Sequence, residues 1–265
     1  MTGFEELASV DGTVTATAEA TIGLKDDGLY RGDGAFEVIR LYLGQPFALG
    51  EHVDRLSRSA AAIALEFDRA ALEAEIAALL EQAGAIDGQL RLIVTRGGRR
   101  IAATEPVPAH ADSVRVVSVT YSTTGILDRV KSLSYAANMH ATRLAKARDA
   151  DEALLVLADG TVLEPPTSTI FWASADGALR TPSLDLPILD SITRDRLVAA
   201  LDVEEGSWAL DDLLAASEAF LASTTREVQA VSAIDSVELR SVPGPRTQEA
   251  QRTLAAAVAR ELEQS

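Results

Sequence analysis

The chain has 265 residues, 47% hydrophobic and 24% charged, with a formal net charge of −16. Length and composition suit one large or two ordinary folded domains and exclude a disordered chain. The negative field disfavours nucleic-acid phosphates, and the absence of cysteine excludes disulfides and thiolate metal sites, which fits a cytoplasmic home. No run approaches a membrane span, and the first residues carry no basic, apolar leader, so neither insertion nor export is expected.

Residues 10–30 read as short extended pieces broken by Asp-Gly and Asp-Asp-Gly turns. Phe36–Tyr42 alternates at a strand period, and Leu43-Gly44-Gln45 reads as a hairpin tip. His52–Leu65 repeats Val53, Leu56, Ala60 and Ile63 on one helical face, and Asp68 caps a second helix that stops at Gly84. Strands follow at Gln89–Thr95 and Val114–Thr120, with the loop Arg96-Gly97-Gly98-Arg99-Arg100 after the first. The small, polar stretch 121–127 is expected to link a small N-terminal domain, 1–120, to a larger one, 128–265.

In the second half, a helix is expected from Ala136 to Arg148, and a hairpin joins Ala153–Leu157 to Thr161–Glu164. Strands are expected at Thr169–Trp172, Glu218–Ala222 and Val228–Ile234, and helices at Arg194–Leu201, Leu210–Ala216 and Thr247–Glu263. Strands and helices interleave in both halves, so the class is mixed α/β (α+β).

Three lysines are present. Lys25 lies in a polar turn and Lys146 at a charged helix end, whereas Lys131 sits between Val130 and Leu133. A lysine held among apolar groups loses basicity and can attack a carbonyl; the bland alternative is a lysine that snorkels to water. Asp190-Ser191-Ile192-Thr193-Arg194 opens a helix whose amides suit an anion, or is simply capped by Ser191 or Thr193. Ser223-Thr224-Thr225 at a strand end is a second set of donors or an ordinary turn. Arg55 shares a helix face with His52; it is either an anion ligand or a surface ion pair with Glu51 or Asp54. Gly32-Asp33-Gly34 lacks the third glycine of a dinucleotide loop, and three scattered histidines make no metal set.

Taken together, GLYRGDGAFEVIRLYLGQPFAL (28–49), EHVDRLSRSA (51–60), VKSLSYAANMHATRLAKARDADEALLVLADGTVLE (130–164), TSTIFW (167–172), LDSITRDRL (189–197) and STTREVQAVSAID (223–235) resemble the class IV aminotransferases. The resemblance runs in family order over nearly the whole chain. It implies a two-domain fold-type IV enzyme with pyridoxal 5′-phosphate (PLP) between the domains. It places Lys131 on the lysine that holds the cofactor covalently and Glu164 on the acid that pairs with the pyridine nitrogen. It places Arg55, Ile192, Thr193 and Thr224 on the phosphate ligands and Tyr135 near the phenol oxygen. Two positions depart from the family pattern: Pro165 stands where glycine is usual, and Thr169 where asparagine is usual.

The implied reaction moves an amino group from an amino acid, of D or branched-chain type, to a 2-oxo acid in a ping-pong cycle within a homodimer. Arg31, Phe36, Arg40, Arg99 and Thr225 are the expected substrate contacts, with Arg31 and Arg99 preferred over Arg96 and Arg100 for the carboxylate. The rival within the family is an aminodeoxychorismate lyase, which releases pyruvate and 4-aminobenzoate. A non-enzymatic PLP- or anion-binding protein is the rival outside it, and mere binding would need no lysine–glutamate pair.

Overall fold

In β1 (Leu7–Val10) and β2 (Thr13–Ala16), the chain reverses through Asp11 and Gly12, both at positive φ (50° and 87°), as a tight hairpin requires. The structure, a computed structural model, describes residues 4–264. It divides into two compact units. One takes the described residues of Met1–Pro108, Val130–Tyr135 and Glu261–Ser265; the other takes Ala109–Arg129 and Ala136–Arg260.

In the first unit, Asp26 caps the short helix α1 (Asp27–Arg31) by accepting from the Gly28 amide at 2.7 Å, and Gly32 closes it at φ 66°. The sequence reads this stretch as a turn, because five residues show no helical period. There follow β3 (Gly34–Tyr42), β4 (Gln45–Pro46), α2 (Leu49–Ala62) and α3 (Arg69–Ala83). Asp68 accepts from the Ala71 amide and Gly84 ends α3, as the capping pattern predicts. β5 (Gly88–Thr95) and β6 (Arg100–Glu105) complete an antiparallel sheet in the order β2-β1-β6-β5-β3-β4. β6 is an addition to the sequence reading; Ala102 and Ala103 blur the strand signal, and pairing with β1 and β5 decides its conformation. Ala35, Ile39 and Leu41 of β3 pack with Val53, Leu56 and Ala60 of α2 and Leu72, Ile76 and Leu79 of α3.

The second unit begins with β7 (Ser113–Thr120), followed by α4 (Ala136–Lys146), β8 (Glu152–Val156), β9 (Thr169–Ala173), β10 (Leu179–Pro182) and α5 (Ile192–Ala200). Next come β11 (Val203–Gly206), α6 (Leu210–Leu214), β12 (Glu218–Ser223), β13 (Glu227–Ile234), β14 (Val237–Glu238) and α7 (Pro245–Leu262). The sheet runs β11-β10-β9-β12-β13-β7-β8, with β14 paired to β13. β7 pairs in parallel with both β13 and β8, while β9, β12 and β13 pair antiparallel.

β7 therefore belongs to the second sheet, and 121–127 lies inside the second unit, not at its edge. The alternation of β7 shows that it is a strand but not which sheet it joins. Its choice rests on a parallel partner far along the chain. Among the described residues, no helix is long and apolar enough to cross a membrane.

Candidate functional site

The pleat of β3 sends Ala35, Glu37, Ile39 and Leu41 to one face, all with 0% exposure, and Phe36 to the other. Onto the start of this strand folds the segment carrying Lys131. The Phe36 amide donates to the Lys131 carbonyl at 3.0 Å, and the Leu133 amide donates to the Gly34 carbonyl at 2.9 Å. Ala35 and Ser132 make an antiparallel bridge between them. Gly34 permits this approach: a Cβ there would lie 2.5 Å from the Val94 carbonyl oxygen and 2.6 Å from Leu133 Cδ1. The Lys131 amide also donates to Ser59 Oγ at 3.1 Å, which ties the segment to α2.

Lys131 is half-buried, and its Nζ lies 4.4 Å from the centroid of the Phe36 ring. Tyr135 meets the same ring edge-on, with centroids 5.3 Å apart. Phe36 thus holds both the lysine and the tyrosine. The ring face attracts the amine in its charged form. Lys25 and Lys146 are exposed, as the sequence implies.

Helix α2 has two buried stripes. Val53, Leu56 and Ala60 enter the core, and His52, Arg55 and Ser59 form a polar stripe beside it. Arg55, 5% exposed, grips Glu37 in a two-pronged pair: Nε donates to Oε1 and Nη2 to Oε2, each at 2.7 Å. His52 Nδ1 lies 2.8 Å from Glu37 Oε2. Burial alone would raise the Glu37 pKa, but the charge and hydrogen bonds of Arg55, joined by His52, pull it down to about 2. Burial lowers the pKa of His52, and the charges of Arg55 and Lys131 push the same way, against the pull of Glu37. Neutral His52 therefore donates through Nδ1–H. Glu37 carries no period or motif of its own; a carboxylate on the apolar face of FEVIRLY, opposite His-x-x-Arg, is the signal that would have found it.

In the second unit, Glu164 is half-buried, and its Oε1 accepts from the Leu189 amide at 2.8 Å. The expected hairpin before it is present as a looser ladder: Leu155 and Leu163 bond backbone to backbone, as do Leu155 and Glu164. Ser191 is the N-cap of α5, accepting from the Arg194 amide at 3.3 Å. Ile192 and Thr193, both buried, form the first turn. Asp195 in that turn is pushed up to about 6, chiefly by burial and then by Asp190. Thr224 and Thr225 lie in the turn between β12 and β13. The next residue, Arg226, donates to Gln229 Oε1 at 2.6 Å and Glu152 Oε2 at 2.9 Å. These three residues, with Glu152 and Gln229 buried and Arg226 half-buried, form an anchor that the sequence reading missed.

The candidate arginines divide by environment. Arg31 is the most open, with its side chain 72% exposed, and it pairs with Asp27 one helical turn away at 3.1 Å. Arg99 pairs with Asp11 of the β1–β2 turn, so its loop is tied down. Arg40 lies over the Tyr42 ring, donates to the Gly88 carbonyl at 2.9 Å and pairs with Asp87 at 2.7 Å, which makes it a clamp on the sheet edge. Arg96 holds the Ile63 and Ala64 carbonyls at the end of α2, and Arg100 pairs with Glu75 of α3.

Each unit carries donors of a kind that suits a pyridoxal phosphate: the first an amine seated against an aromatic face, the second a carboxylate oriented by a backbone amide and a buried helix start whose N–H groups suit a phosphate.

Comparison with known proteins gives one family. The family described as amino-transferase class IV matches residues 34–234. The chain is 33% identical to a D-alanine aminotransferase of Bacillus licheniformis, over 92% of this chain and 94% of that protein. It is 28% identical to an aminodeoxychorismate lyase of Bacillus subtilis (strain 168), over 90% of each. Its fold matches the branched-chain aminotransferase of Thermoproteus uzoniensis, solved with norvaline, at a TM-score of 0.85 and 28% identity, covering 96% of this chain and 95% of that one.

Proposed function

The chain belongs to the class IV aminotransferases, enzymes that use PLP, and on that premise we propose that it transfers the amino group of a D- or branched-chain-type amino acid to a 2-oxo acid. The observation that carries this is the setting of Lys131, half-buried against Phe36 on a segment bound to β3 and α2. Bound PLP supplies an electron sink for negative charge developing on the substrate α-carbon.

The protein's own groups do the rest. Lys131 Nζ would hold the cofactor covalently and, when free, would serve as the base and acid that moves the substrate α-proton. Glu164, fixed by the Leu189 amide, would keep a proton on the pyridine nitrogen. The Ile192 and Thr193 amides, the Thr224 hydroxyl and Arg55 are the groups that would hold the phosphate of the cofactor, and Tyr135 the one that would meet its phenol oxygen. Arg31 and Arg99 are assigned to the substrate carboxylate, and Phe36 and Thr225 are assigned as further substrate contacts. Both substrates carry a carboxylate into a protein of net charge −16, so local cations must reverse the field there. The enzyme is assigned to the cytoplasm and to a homodimer.

The PLP form, incubated with a panel of D- and L-amino acids, should convert to its amine form with at least one donor, read by absorbance. Conversion by none, with 4-aminobenzoate and pyruvate formed from aminodeoxychorismate, would establish the lyase instead.

A further inference from the structure

On β3, Ala35, Ile39 and Leu41 share one fully buried face, and the position among them that pattern alone would fill with an aliphatic residue is Glu37, also at 0% exposure. Burying a carboxylate is costly unless it is paired, and replacing a buried ion pair by apolar groups of similar volume is often neutral or stabilising. Stability by itself therefore gives no reason for Glu37, and its geometry suggests another. All its bonds go to one helix face: two from Arg55, which form a side-on fork, and one from His52 at the preceding turn. A planar guanidinium gripped along its Nε–Nη2 edge cannot swivel; its Nη1 end is aimed. The next residue of that face, Ser59, holds the backbone of Lys131. One stripe of α2 thus connects the aimed cation to the lysine segment, and Glu37 is the anion beneath it.

We propose that Glu37 is a positioning residue, which together with His52 orients the Arg55 guanidinium toward the phosphate of the cofactor. The assignment rests on the reading of Arg55 as a phosphate ligand. It makes the phosphate, not the ring, the part of the cofactor that senses Glu37. Neutral His52 adds a donor to Glu37 without a further charge.

The test compares binding of PLP with binding of pyridoxal, which has the same aldehyde and ring but no phosphate, to the apo-enzyme by absorbance titration. In Glu37→Gln, PLP affinity should fall by at least ~10-fold, the scale on which losing a ligand's orienting partner is felt, while pyridoxal affinity changes by less than ~2-fold. Arg55→Gln is the reference. If it leaves the ratio of the two affinities unchanged, Arg55 does not bind the phosphate, and the underlying reading fails together with the inference. If Arg55→Gln changes the ratio and Glu37→Gln does not, the positioning role alone is overturned. Equal weakening of both ligands in Glu37→Gln also overturns it, since that is the mark of a purely structural role. Should Glu37→Gln not fold, His52→Gln is read in the same way. A fall in PLP affinity without a matching fall for pyridoxal supports the role, and an unchanged ratio refutes it.

Discussion

Replacing Glu37 by glutamine keeps its size and removes the charge that compensates Arg55. The fall of the Glu37 pKa from its ordinary 4.5 to about 2 is worth about 3 kcal/mol of folded-state stability near neutral pH. Breaking a buried ion pair costs about 3–5 kcal/mol in general, the same scale. Because the folded carboxyl has the lower pKa, this contribution is complete above the unfolded value and is lost as pH falls toward the folded one. Urea unfolding of apo-enzyme should therefore show Glu37→Gln destabilised by about 3 kcal/mol near pH 7, shrinking to about 2 kcal/mol near pH 3.5. A triple variant, Glu37→Leu with His52→Leu and Arg55→Met, should regain most of the loss. A deficit below about 1 kcal/mol, or one that grows on acidification, would refute the pairing argument.

Glu164→Gln should slow the half-reaction with amino donor by at least ~10-fold with PLP still bound, since the charge that holds the pyridine proton is gone; an unchanged rate in stopped-flow would remove Glu164 from that role. Arg31→Ala and Arg99→Ala should raise KM for both the amino donor and the 2-oxo acid, by a loss of ~1.5–3 kcal/mol in transition-state binding, and change activity on an amine without a carboxylate far less. Equal losses on both substrate types would instead make Arg99 a strut for the Asp11 turn that it already grips. Gly34→Ala should destabilise by about 1–3 kcal/mol, because its Cβ would strike the Val94 carbonyl and the Leu133 side chain; hydrogen exchange should show the loss at Lys131–Leu133.

The readable parts of the fold were those with a strong local period or cap. FEVIRLY alternates, Val53–Leu56–Ala60 repeats on a helix, and Asp68 with Gly84 brackets α3. What escaped depends on distant partners. β6 is a strand because β1 and β5 flank it, and β7 joins the second sheet because β13 and β8 receive it. Lys131 stood out as a lysine among apolar residues, yet its seat on Phe36 comes from pairing with β3, which no spacing in KSLSYAANM announces. The spacing leaves Arg55 an anion ligand or a surface ion pair with Glu51 or Asp54; the structure buries it against Glu37, a carboxylate that a strand pattern conceals. The arginine loop 96–100 promised reach; the structure ties its charges to Asp33, Asp11 and Glu75. Charge clustering alone does not distinguish a substrate trap from a set of struts.

Covalent trapping reads which lysine carries the cofactor. Enzyme loaded with PLP is reduced with borohydride, digested, and its labelled peptide identified by mass spectrometry. The adduct should lie on Lys131, and Lys131→Ala should give none; an adduct on Lys25 or Lys146, or a labelled Lys131→Ala protein, would contradict the assignment.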